Sequence, residues 1–111
     1  MTTTFDTTRT QELNDAFRRT GDGGHILFTA GVSGLGVAFS HQALALVRTF
    51  DAFTPDNDPH GEHDFGSVDH NGERISWKID YYDAACKFVS KDPADPTKTT
   101  RVLTIMLAEE Y

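Results

Sequence analysis

Apolar positions at helical spacing open the chain. Leu13, Ala16 and Phe17 share one face of a segment that Asp6 or Thr7 is able to cap, and Arg18 and Arg19 stand near the negative end of its dipole. This predicts a helix over 7–20, ended by Gly21-Asp22-Gly23-Gly24. Residues 1–4 are expected to fray. The short run His25 to Thr29 predicts a buried strand. Phe39, Leu44, Val47 and Phe50 give a second apolar stripe, predicting a helix over 38–51. Two prolines and a glycine then make Thr54 to Gly61 a loop.

The strongest local signal is Asn71-Gly72 between two strand-like runs, which predicts a type I′ hairpin turn. With these two residues as the loop, His70 faces Glu73, Asp69 faces Arg74, Val68 faces Ile75, Gly66 faces Trp77 and Phe65 faces Lys78. Continuing outward pairs Asp64 with Ile79 and His63 with Asp80. Val68, Ile75, Trp77 and Ile79 then share the core side, and a slip of one residue would reverse every assignment. Residues 83–98 read as a loop with a helical turn near Ala84–Phe88, broken by Asp92-Pro93 and Asp95-Pro96. Thr99 to Ala108 is β-branched and apolar on both faces, which predicts a central strand. The order α-β-α-β-β-β predicts an α+β fold. One mainly antiparallel sheet of about four strands carries two helices on one face, and residues 1–111 form a single domain.

Charge changes this picture in one window. Residues 49 to 73 hold seven acids (Asp51, Asp56, Asp58, Glu62, Asp64, Asp69, Glu73) and no Lys or Arg, and the rest of the chain holds ten of each sign. The whole net charge of −7 therefore sits in that window, with His60, His63 and His70. Such a balance opposes direct binding to nucleic acid, and it suits a metal ion, a basic protein surface or only water as the counterpart. No apolar run approaches membrane-spanning length, and the first residues lack a signal-peptide pattern. With one cysteine, Cys86, the reading is a cytoplasmic protein without an internal disulfide.

Three kinds of chemistry are conceivable. The glycines of Ala30 to Val37 fit neither a Walker loop, a dinucleotide fingerprint nor a nucleophile elbow, so this segment reads as a flexible turn, with at most an anion site at the next helix N-terminus. Asp56-x-Asp58-x-His60-Gly61-Glu62-x-Asp64 echoes the start of a calcium loop. It lacks the closing bidentate Glu, because Ser67 stands there. His60, His63 and Asp64 are the alternative metal ligands of mixed nitrogen and oxygen type; the main reading has no metal or cofactor. His63 beside Asp80, with Lys78 on the same face, is the alternative acid–base set. The third possibility is recognition, with Asp56, Asp58, Glu62, Asp64 and Phe65 docking on a Lys/Arg-rich groove.

Three motifs carry a resemblance: Phe50 to Gly66 (FDAFTPDNDPHGEHDFG), Trp77 to Asp83 (WKIDYYD) and Thr100 to Tyr111 (TRVLTIMLAEEY). Leu13 to Arg18 and Thr29 to Val32 fit as well. Together they resemble a small bacterial family known only as a domain of unknown function, often encoded on plasmids and other mobile elements. The resemblance implies a setting in which small acidic proteins block host defences, as anti-CRISPR or anti-restriction inhibitors do. It also implies an aromatic residue where this chain has His60, a departure that weakens a metal role for His60. The leading expectation is a non-enzymatic inhibitor of a basic, nucleic-acid-handling protein, by DNA mimicry. The alternative is a small, metal-dependent hydrolase or nuclease-like enzyme using His63, Asp64 and Asp80. Homodimerisation is compatible with either.

Overall fold

A computed structural model describes residues 6–111, so the expected fraying of residues 1–4 lies outside the described residues. Helix α1 (Thr7–Thr20) starts where Asp6 accepts from the Arg9 amide and ends at left-handed Gly21. Strand β1 (Gly24–Phe28) follows. The segment read as a flexible turn instead forms a short helix, α2 (Ala30–Ser33), because Thr29 caps it. At its start the Glu110 carboxylate accepts from the Thr29 hydroxyl (2.6 Å), the Gly31 amide (3.2 Å) and the Leu107 amide (2.8 Å). A Cβ at position 31 would stand 2.5 Å from that carboxylate, so any larger residue there would displace the Glu110 side chain from the helix start. These hydrogen bonds, Thr29 first, hold the Glu110 pKa below its ordinary value.

Helix α3 (Val37–Arg48) is shorter at its end than the predicted 38–51. Strands β2 (Phe65–His70), β3 (Glu73–Tyr82) and β4 (Thr100–Leu107) complete a sheet ordered β1-β4-β3-β2. β4 is central, as its two apolar faces predict, lying parallel to β1 and antiparallel to β3. The hairpin has the predicted register from His70–Glu73 to Phe65–Lys78, with Asn71 and Gly72 both at positive φ. Between Ala84 and Phe88 there is a turn closed by Cys86 N–H on Asp83 C=O, and no helix.

The helices cover one face of the sheet. Phe17, Val32, Phe39, Ala43 and Val47 pack on Ile75, Trp77, Ile79, Leu103 and Ile105, all buried. Trp77 lies over Gly66, where an added Cβ would stand 2.6–2.8 Å from the indole. On α1 the apolar stripe is only partly the inward face. Phe17 is buried and Ala16 is exposed, and the other buried positions are Thr10, Asn14 and Arg18. This polar inward face positions the candidate site.

Candidate functional site

The chain between α3 and β2 folds back over α1. Thr54 and Asn57 exchange side-chain and backbone hydrogen bonds, and Asn57 also reaches the Ala52 carbonyl, which fixes the first turn. Three α1 side chains then hold the loop. Gln11 donates to the Gly61 carbonyl (2.8 Å), Asn14 donates to the Glu62 carbonyl (2.9 Å), and Asp15 meets the His63 ring at Nδ1 (2.9 Å).

His63 adopts positive φ and turns towards α1. The hairpin pairing therefore stops short of it. The Asp64 carbonyl still accepts from the Ile79 amide, but His63 does not face Asp80 as predicted. Its ring stacks flat on Phe53, with centroids 3.7 Å apart, and Nε2 points to Asp58 at 3.6 Å. Asp80 lies on the sheet face away from the helices and pairs with Lys78 at 3.1 Å. The alternative acid–base set of His63, Asp80 and Lys78 is thus divided between the two faces. Both nitrogens of His63 already face carboxylates of the same chain, so this imidazole clasps the loop to the helix.

Beneath the clasp is a polar core. Arg18, 1% exposed, donates to Asp15 (2.8 Å) and to the carbonyls of Val47 (2.9 Å) and Phe50 (2.7 Å), at the end of α3. Its guanidinium lies over the rings of Trp77 and Phe53, at 5.1 and 5.4 Å. Arg18 stands in the last turn of α1, where the dipole favours it, and the fold also turns it inward. Burial lowers its pKa, against the opposing pull of Asp15. Asn14 also bonds the Tyr81 hydroxyl (2.7 Å) and accepts from Arg101 Nε (2.6 Å), and Tyr81 donates to Asp64 (3.1 Å). Burial, with the Asp64 charge next, pushes the Tyr81 pKa up.

The predicted recognition residues fall into three places. Asp56 is exposed. The Asp58 side chain, 7% exposed, faces His63, while Glu62 and Asp64 are half-buried. Phe65 is on the opposite sheet face, edge-on to Tyr111. The structure does bring Asp58, Glu62 and Asp64 together. Desolvation first, then Asp64 and Asp58, raise the Glu62 pKa, and desolvation followed by Asp58 raises that of Asp64 despite the Tyr81 hydrogen bond. No Lys or Arg forms an ion pair with any of the three among the described residues. Nor do any three His, Cys, Asp or Glu side chains stand close enough to hold a metal ion among the described residues, so His60, His63 and Asp64 do not converge as ligands. No described helix is long and apolar enough to cross a membrane.

Sequence reasoning missed Asn14, Asp15 and Arg101. The available signal was the 3.6-residue spacing of Thr10, Asn14, Phe17 and Arg18, which a search for apolar stripes passes over. A family model described as protein of unknown function (DUF3768) matches residues 28–110. No curated protein and no solved structure matches the chain.

Proposed function

The chain belongs to that family, whose function is unknown, and we propose that this member is a non-enzymatic binding protein whose acidic 54–64 loop docks on a basic protein surface. The observation that carries the reading is the crowding of Asp58, Glu62 and Asp64. Partial burial first, and then mutual repulsion, raises two of the three pKa values, and among the described residues no Lys or Arg pairs with them. Carboxylates held at such a cost fit a surface completed by a partner's Lys or Arg side chains. The loop is also tied down at Gly61, Glu62 and His63, which reduces the ordering cost of docking. The partner class that fits is a basic, nucleic-acid-handling protein. With the mobile-element setting implied by the loop motif, the role is inhibition of a host defence complex.

The test changes Asp56, Asp58 and Asp64 to Asn and Glu62 to Gln together, then measures stability and capture of a basic nucleic-acid-handling partner at low and high salt. The reading expects salt-sensitive capture by the wild type, none by the variant, and a variant fold at least as stable as the parent. A variant that still captures every wild-type partner would overturn it. The second reading, a small hydrolase, draws on the 2.9 Å Asp15–His63 contact, with Asp15 in the orienting role given to Asp80. Activity lost in His63→Ala, in a protein carrying stoichiometric metal, would favour it.

A further inference from the structure

A second charged feature lies outside the acidic loop. The last turn of α1 contributes Arg19, and one stripe of α3 contributes His41, Leu44, Ala45 and Arg48, followed by Thr49; these six line a cleft of about 600 Å³. In a chain of net charge −7 this lining holds two guanidinium groups and an imidazole, and no acid. We propose that the cleft between α1 and α3 binds the phosphate group of a small organic phosphate monoester.

Three observations carry this. Arg9, Arg18 and Arg74 each pair with an acid, whereas neither Arg19 nor Arg48 forms an ion pair among the described residues. Arg19 and Arg48 share one concavity. Arg48 is drawn in against α1, with its terminal nitrogen 3.5 Å from where a Gly21 Cβ would stand, and its Nε is buried without an acceptor. A buried donor left unbonded is costly, and an oxygen of a bound anion would remove that cost. The guanidinium fork suits the paired oxygens of phosphate, and Leu44 and Ala45 offer an apolar wall to the organic part. The volume lies within the usual ~300–1,000 Å³ range of small-molecule sites. Both helices end here, each with a partial negative charge of about half a unit. Two full positive charges outweigh them, and the resulting affinity is modest.

The test is an NMR titration of the full chain with AMP, inorganic phosphate and adenosine, following backbone amides and arginine Nε–H signals. AMP should give saturable shifts at Ala45, Arg48 and Thr49. Inorganic phosphate should move the same signals more weakly, and adenosine should leave them unmoved. Arg48→Gln and the exposed Arg19→Gln should each weaken AMP about tenfold, the loss expected for one charge-assisted pair of hydrogen bonds. Arg48→Lys, which keeps the charge but loses the fork, should fall between Arg48→Gln and wild type. Shifts absent up to about 10 mM AMP, adenosine shifts equal to those of AMP, or undiminished binding by Arg19→Gln would overturn the site. These residues lie outside the acidic cluster, so the outcome is independent of the acidic-loop reading.

Discussion

The β2–β3 hairpin and the 54–64 loop adjoin in sequence, yet they are held by different physics. In the hairpin, two residues at positive φ set the turn, the turn sets the register, and the register places Trp77 over Gly66. Each step involves neighbours at most a few residues from the turn. The loop has local Asx bonds at Thr54 and Asn57, but its seat on the molecule comes from Gln11, Asn14 and Asp15, some fifty residues earlier. The hairpin is therefore a local solution that the core then accepts. The loop exists in its observed form only once α1 is docked.

The most damaging change to this contrast is Asn14→Leu. It keeps the approximate shape but leaves the Glu62 carbonyl and Arg101 Nε each short of a partner, and removes one from Tyr81. A loss of about 3 kcal/mol is expected in urea denaturation, with early amide exchange at residues 61–64 while the hairpin amides stay protected. Simultaneous loss of protection in both regions would show the hairpin to be no more local than the loop.

Gly66→Ala attacks the hairpin from its own side. The new Cβ would overlap the buried Trp77 ring, and a cost of about 2 kcal/mol is expected, with a changed tryptophan emission spectrum. An unchanged spectrum and stability would mean that the ring is free to shift.

Asp64→Asn should act in the opposite direction. The folded pKa of Asp64 is raised, so its ionised form is disfavoured by the fold. The penalty is absent below the ordinary carboxylate pKa and grows as pH rises through the raised one. The variant should be slightly more stable than wild type at neutral pH and equal to it in acid. A variant less stable at neutral pH would show that the Tyr81 hydrogen bond outweighs desolvation. Glu110 has the reverse sign, because its lowered pKa stabilises the fold at neutral pH and that contribution is lost as pH falls through it. Glu110→Gln should therefore lower the melting temperature at neutral pH and not in strong acid.

Arg74→Ala should change least. Its pairing with Asp69 joins two exposed side chains across the hairpin, so stability should move by under ~0.5 kcal/mol. A larger loss would make side-chain pairing, and not the turn, the source of register.

The sequence by itself determined the elements whose causes are local. These are a cap at Asp6 or Thr7, a stop within Gly21–Gly24, the hairpin register from Asn71-Gly72, and the central place of β4 from its two apolar faces. It also located the acidic window. Tertiary structure alone decided what the polar residues do. Arg18 turned inward to the carbonyls of Val47 and Phe50, His63 left Asp80 for Asp15, and Glu110 came to the start of α2. The reason is one of range. Backbone preference and hydrophobic periodicity act over a few residues and leave a regular trace. A buried polar group is satisfied by whichever donor or acceptor the folded chain brings within about 3 Å, and nothing in its own neighbourhood names that partner.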